Sequence, residues 1–362
     1  MSVSEPHPVA ASSRFASPEN LTDKSPAKNY SRLAANAFAE AAKAGGEVDE
    51  QFFKIGDCIM RLRFAGNKLQ PIVLRALNHL AIPRQSEAEF TVNISDGSSC
   101  GVKLPLPEHD ELSQTSAGFM RHSDGKIFAL IQEDVATISL VDAEAREGFF
   151  WTQDAARLFW YEAGSPLRYI FHLWFRQRGQ QVVHAAAVGT QNGAAFLVGT
   201  SGSGKSTTAL ACLDAGMIYL GDDYTLASVE SKPRAWSLFC TAKVSDESLK
   251  RFPKLESFVQ RSGAGGEKSL LFVESNPAFE SLPVRAILWP RISGKIETRI
   301  VPVTSAKMLL AFAPSTILQM PVSGGEDFQM LARLVQKVPT YIIEAGTDMK
   351  KLADAIRQLV SP

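Results

Sequence analysis

The stretch Ala194-Ala195-Phe196-Leu197-Val198, then Gly199-Thr200-Ser201-Gly202-Ser203-Gly204-Lys205-Ser206, then Thr207-Thr208-Ala209-Leu210-Ala211-Cys212-Leu213 decides the fold. Its middle part fits G-x-x-x-x-G-K-[ST] at every specified position. An apolar run leads in and residues at helical spacing lead out, the strand–loop–helix context in which this pattern holds phosphate. Glycines let the loop curl so that successive backbone N–H groups face a β-phosphate. The helix starting at Lys205 adds the positive end of its dipole. Lys205 brings a point charge to the β- and γ-phosphates, and the Ser206 hydroxyl is a ligand for Mg²⁺. A nucleoside triphosphate with Mg²⁺ is therefore expected on Gly199, Thr200, Ser201, Gly202, Ser203, Gly204, Lys205, Ser206 and Thr207.

Working outward, Val182 to Val188 reads as one strand carrying His184, and Gly193 permits the turn into the next. After the loop, the helix Lys205 to Ala215 ends at Gly216, and Met217-Ile218-Tyr219-Leu220 is a short buried strand ending in Gly221-Asp222-Asp223-Tyr224. Acidic residues at the carboxyl end of a strand beside a phosphate loop hold Mg²⁺. Where strand gives way to loop both carboxylates can face the metal, so Asp222 and Asp223 are each a candidate metal ligand with Ser206. The other is then free to take the proton from an attacking hydroxyl. Which aspartate does which is open; Asp222→Asn is expected to remove transfer and spare ATP binding. Lys243, Lys268 and Arg291 fall on or near strand ends, and each is either a cation for the triphosphate or a solvated surface charge.

With these residues in hand, the segment from His184 to the C-terminus resembles the HPr kinase/phosphorylase family, whose P-loop fold is shared with ATP-dependent phosphoenolpyruvate carboxykinase. The matching parts are His184 on the preceding strand, the phosphate loop with its short helix, and the double aspartate Asp222-Asp223. Ile287-Leu288-Trp289-Pro290-Arg291 resembles the strand leading to a basic residue that closes on the phosphates. The resemblance implies transfer of phosphate from ATP to a serine hydroxyl of a protein or peptide. Asp222 or Asp223 would be the general base, with His184 beside the transferring phosphate and Lys205 and Arg291 completing the catalytic set. Thr207 stands where the regulatory HPr kinases usually carry Glu, and their second glycine-rich signature has no counterpart. The chain therefore looks more like the HPr-kinase-related proteins of uncertain substrate, some of which phosphorylate precursor peptides in biosynthetic clusters.

The remaining sequence bounds this reading. The chain has 362 residues, 45% of them hydrophobic and 21% charged, enough for two domains with full cores. Lys+Arg and Asp+Glu stand at 38 each, which gives no field favouring nucleic acid or an anionic membrane. Cys58, Cys100, Cys212 and Cys240 fall at no metal or redox spacing and read as reduced thiols. No apolar stretch reaches the ~20 residues of a membrane span, so a cytoplasmic location is expected.

Residues 1–50 read as a disordered or partly helical tail, unstructured to about Tyr30 and helical from Ser31 to Lys43. Residues 51–150 read as a small α+β domain, with strands at 52–55, 59–64, 90–94, 127–131 and 137–141 and a helix over 68–80. Residues 151–180 read as a helical connector broken at Pro166, with Trp160, Phe171, Trp174 and Phe175 as a core-facing stripe. Residues 181–362 form the P-loop kinase-like domain of this α/β chain. Val322-Ser323-Gly324-Gly325-Glu326 superficially resembles a transporter-ATPase signature but follows the acidic pair, so it reads as the start of a helix over 327–337. The expected activity is an ATP-dependent protein or peptide serine kinase. The alternatives are a nucleotide-gated binding protein without transfer and a small-molecule kinase or carboxykinase-like enzyme. The oligomeric state is open, a homo-oligomer included.

Overall fold

The computed structural model describes residues 26–104, 113–115, 118–123, 126–132, 136–261, 268–273, 280–321 and 323–361. The expected disordered segment lies outside these up to residue 25. From Pro26 the chain is already helical: α1 (Pro26–Gly45) turns Tyr30, Ala34, Phe38 and Ala41 to one face, and all four are buried. That face packs on a sheet, so α1 is part of the first folded unit and no tail.

The sheet contains β1 (Asp49–Ile55), β2 (Cys58–Ala65), β3 (Ala81–Ile82), β4 (Phe90–Asp96), β5 (Ser113–Thr115), β6 (Gly118–Ser123), β7 (Ile127–Gln132), β8 (Thr137–Asp142) and β9 (Glu147–Thr152). Among the described residues their order is β3-β1-β2-β4-β9-β8-β7-β6-β5. The β2–β4 and β4–β9 pairs are parallel and the rest antiparallel. Helices α2 (Gln70–Leu77) and α3 (Gly97–Cys100) sit in the crossovers. Alternation along the strands splits the core into two faces. Ala129, Ile131, Leu140 and Phe149 meet α1, while Phe128, Leu130, Val141 and Phe150 meet the other cluster.

Two short helices follow, α4 (Trp160–Gly164) and α5 (Arg168–Arg176). The break expected at Pro166 is there, and Leu167 takes it up with φ +59°. Phe171, Trp174 and Phe175 of the aromatic stripe are buried, and Trp160 packs partly buried beside them.

The second half is a three-layer α/β structure. Its elements are β10 (Gln180–Val183), β11 (Ala186–Thr190), β12 (Gly193–Leu197), α6 (Lys205–Asp214), β13 (Ile218–Gly221), β14 (Thr225–Ser228) and β15 (Arg234–Trp236). There follow β16 (Thr241–Val244), α7 (Asp246–Leu249), β17 (Val259–Arg261), β18 (Ser269–Phe272), β19 (Ser281–Ile292), β20 (Arg299–Pro302), α8 (Ser305–Ile317), α9 (Gly325–Lys337), β21 (Thr340–Ala345) and α10 (Met349–Val360). The main sheet runs β10-β14-β15-β19-β12-β11-β13, with β21 and β20 added at β19, and β16-β18-β17 form a separate small sheet.

Ala195 and Leu197 face α6 and α10, whereas Ala194, Phe196 and Val198 face α8 and α9. Helices on both faces explain why β11 and β12 are apolar almost without interruption. The single strand expected over Val182 to Val188 is instead two. β10 pairs with β14, whereas β11 pairs with β12 and β13. At the break the Thr225 hydroxyl donates to the Ala185 carbonyl, and the His184 amide donates to Thr316 Oγ1. Among the described residues no helix is long and apolar enough to cross a membrane.

Candidate active site

Strand direction gathers the site. β11 is antiparallel to both β12 and β13, so the start of β11 and the ends of β12 and β13 share one edge. His184 just before β11, the glycine loop after β12 and Asp222-Asp223 after β13 therefore meet. β19 runs parallel to β12 and carries its own end beneath the loop, where the Val198 amide donates to the Leu288 carbonyl at 2.9 Å.

The loop has the conformation its glycines permit. Gly199 has φ +129°, and a Cβ there would lie 2.9 Å from Trp289 Cδ1 and 3.0 Å from Ser203 Oγ. Gly204, at φ +102°, turns the chain directly into α6. Lys205 is buried at the base of the loop, and its Nζ donates to the carbonyls of Gly199 at 2.8 Å and Thr200 at 3.2 Å. Burial lowers its pKa, opposed by the charges of Asp222 and Asp223. The Thr207 hydroxyl donates to Ser248 Oγ at 3.2 Å, and both line the cleft beside the loop.

The two aspartates diverge. The Tyr224 amide donates to the Asp222 carbonyl at 2.8 Å while Asp223 has φ +65°. That is a γ-turn of the strained, positive-φ kind, tolerable for Asp and costing of order 1–3 kcal/mol. Asp222 turns inward and is 1% exposed. Its Oδ2 accepts from the Lys243 amide at 3.4 Å, and its Oδ1, though buried, has no partner among the described residues. Burial and then the neighbouring Asp223 charge push its pKa up, with the Ser206 hydroxyl and Lys205 among the groups pulling it back.

Asp223 turns into the cleft. Burial opposes its charge, yet the Lys243 ammonium and His184 hold its pKa well below the usual carboxylate range. Lys243 Nζ lies 2.9 Å from Asp223 Oδ2, and His184 Nε2 lies 3.4 Å from Oδ1. His184 Nδ1 in turn faces Gln319 Nε2 at 3.2 Å, and the Tyr224 hydroxyl donates to Gln319 Oε1 at 2.7 Å.

These groups surround a cleft of about 300 Å³ whose walls include Ser201, Gly202, Lys205, Asp223, Lys243 and Lys268. Of the residues singled out by sequence, it joins His184, Ser206, Thr207 and Asp223 to the loop, with Asp222 immediately behind. Arg291 is not brought in. Pro290 and Ile292 face Gly204, so alternation turns Arg291 the other way, and its guanidinium stacks over the Trp289 ring at 4.7 Å. Lys243 is no solvated charge: it is 8% exposed and ion-paired inside the site. The available signal was a lone lysine in the otherwise uncharged strand Thr241-Ala242-Lys243-Val244. Gln319 carried no sequence signal.

Among the described residues no group of three or more His, Cys, Asp and Glu could hold a metal by itself. Ser206 and the unpartnered Asp222 Oδ1 are hard oxygen donors, fitted to Mg²⁺ that takes its remaining ligands from phosphate and water.

No family model and no curated protein matches the chain. Among solved structures, the chain is similar to the HPr(Ser) kinase/phosphatase from Coxiella burnetii, with 12% identity over 49% of this chain and 93% of that one and a TM-score of 0.26.

Proposed function

We propose that the chain transfers the γ-phosphoryl group of ATP to a hydroxyl, with a serine of a protein or peptide as the acceptor, on a P-loop core of the phosphoenolpyruvate-carboxykinase and HPr-kinase type. A small α+β domain precedes this core. The observation that carries the reading is the different surroundings of two adjacent aspartates beside a phosphate loop. Asp222 is buried behind the loop with Oδ1 unpartnered and with Ser206 among the groups that stabilise its charge, while Asp223 faces the cleft between Lys243 and His184.

In this reading the loop amides and Lys205 hold the β- and γ-phosphates, and Lys205 leaves the Gly199 and Thr200 carbonyls to do so. Ser206 and Asp222 would hold Mg²⁺, which supplies neutralisation of charge on the β- and γ-oxygens. Asp223 accepts a hydrogen bond from the acceptor hydroxyl and aims its oxygen at the γ-phosphorus. With its pKa held low, Asp223 is a weak base, and orientation is its larger contribution. Phosphoryl transfer through a loose transition state needs little proton abstraction before the P–O bond breaks. Lys268 at the mouth adds positive charge beside the equatorial oxygens. Arg291 would enter this set only after unstacking from Trp289. A cytoplasmic location and a protein or peptide partner belong to the same proposal.

The experiment is incubation of the purified protein with γ-labelled ATP and a lysate of its source cell, with Lys205→Ala as control. A labelled band that is absent with Lys205→Ala supports the kinase and identifies its acceptor. Label released only as free phosphate contradicts it and favours a nucleotide-gated binder.

A further inference from the structure

Each ring nitrogen of His184 has a side-chain partner. On one side Asp223 presents a carboxylate to Nε2, and Lys243 already neutralises the far oxygen of that carboxylate. On the other side Gln319, just past the end of α8, reaches Nδ1, while Thr316 accepts from the His184 amide. Tyr224 lies against the ring with centroids 5.6 Å apart. Lys205 and Lys268 share the cleft, while the imidazole's hydrogen-bond partners among the described residues are Asp223 and Gln319.

Only one polarity satisfies this chain. Tyr224 is buried, so its hydroxyl must place its proton on an acceptor, and Gln319 Oε1 is 2.7 Å away. Arg168 packs on the same ring 5.9 Å from its centre, and a guanidinium offers no acceptor. With Oε1 engaged by Tyr224, the amide turns its NH₂ toward His184. Nδ1 must then be the acceptor, and the ring hydrogen sits on Nε2, where Asp223 takes it.

We propose that Gln319, oriented by Tyr224, is a positioning residue that holds His184 as the neutral Nε2–H tautomer, and so fixes which lone pairs of Asp223 remain for the acceptor hydroxyl. Nε2–H and Lys243 Nζ–H each occupy one oxygen of Asp223, leaving the remaining lone pairs directed into the cleft. An imidazole with its hydrogen on Nδ1 would set a lone pair against the carboxylate and swing the pair apart. The tautomer is a property of the resting protein; only its consequence for turnover rests on the phosphotransfer reading.

The test is ¹⁵N NMR of the full chain labelled at histidine, without nucleotide, with the His184 signals assigned by His184→Asn. An unprotonated Nδ1 and a protonated Nε2 are expected. Gln319→Glu replaces the donor by a carboxylate, and Nδ1 should then become protonated while Nε2–H persists. Tyr224→Phe frees the amide to turn over and should give a tautomer mixture; it also serves if Gln319→Glu fails to fold. A wild-type ring protonated on Nδ1, or a tautomer unchanged in both variants, overturns the proposal. In turnover, Gln319→Leu should lower kcat about ten- to a hundredfold with the KM for ATP unchanged. A rise in that KM with kcat intact would place Gln319 in nucleotide binding and overturn the positioning role. The expected tautomer in a protein that transfers no phosphate would leave this proposal standing and remove the kinase reading.

Discussion

At the scale of the residue, the adjacent aspartates contribute to stability with opposite sign. The Asp222 pKa is raised, by burial first and by Asp223 second, so the folded chain binds this proton more tightly than the unfolded chain. Its contribution favours folding at low pH and is lost as pH rises from the ordinary aspartate range through the raised value. Above the ordinary aspartate range burying this carboxyl is a net cost, which bound Mg²⁺ would relieve. Asp223, held below its ordinary value by Lys243 and His184 against burial, contributes stability above the ordinary range and loses it only as pH falls through the depressed value. Asp222→Asn should therefore raise the Tm of metal-free protein at pH 7 and abolish the further gain from Mg²⁺ and ATP. Asp223→Asn should lower the Tm and keep that gain. Calorimetry with and without Mg·ATP checks both. The proposed role of Asp222 as metal ligand thus predicts the opposite of the expectation that Asp222→Asn spares ATP binding; it rests on the unpartnered Asp222 Oδ1 and on Ser206 among the groups that stabilise the Asp222 charge. Lys205→Ala should cost turnover by several orders of magnitude through loss of charge at the phosphates.

At the scale of the element, the parts of the site differ in how far the sequence reveals them. The loop, the helix after it and the double aspartate are contiguous, and each residue type there has a local reason. What is missing from such a reading comes from a distance. Lys243 arrives on the small sheet β16-β18-β17, and Gln319 just after α8, elements whose placement depends on packing. The break at His184 was hidden because Val182 to Val188 is apolar apart from His184 itself; the division comes from a change of pairing partner, which periodicity does not record. Gly199→Ala tests the loop as an element. With φ +129° and Trp289 at 2.9 Å, any side chain forces strain of roughly 1–3 kcal/mol. Weaker ATP binding should accompany a drop in Tm, and normal binding by titration calorimetry would show that the loop tolerates the side chain.

At the scale of the whole molecule, one hydrophobic cluster crosses between the halves. Phe53, Phe64 and Phe90 of the first sheet share it with Phe171 and Phe175 of α5, and with Leu226, Phe239 and Phe272 of the second half. Beneath it, Arg168 and Glu162 form a buried bidentate pair at 2.6 and 2.8 Å, and Arg168 also donates to the Tyr169 hydroxyl. The connector is thus part of the core shared by both halves. Arg168→Met leaves Glu162 charged and unpaired and should destabilise by about 3–5 kcal/mol. Urea unfolding should remain a single transition in the wild type, and a chain starting at Gln181 should not fold alone.

The central claim, that adjacent carboxylates divide metal holding from acceptor positioning in phosphoryl transfer, is tested most directly by one comparison. Wild type, Asp222→Asn and Asp223→Asn are incubated with γ-labelled ATP, Mg²⁺ and the same acceptor, with label transfer and bound nucleotide followed together. The expected result is transfer in the wild type alone, with Mg-dependent ATP binding kept by Asp223→Asn and lost by Asp222→Asn. Wild-type transfer by Asp223→Asn, or undiminished Mg-dependent binding by Asp222→Asn, would contradict it.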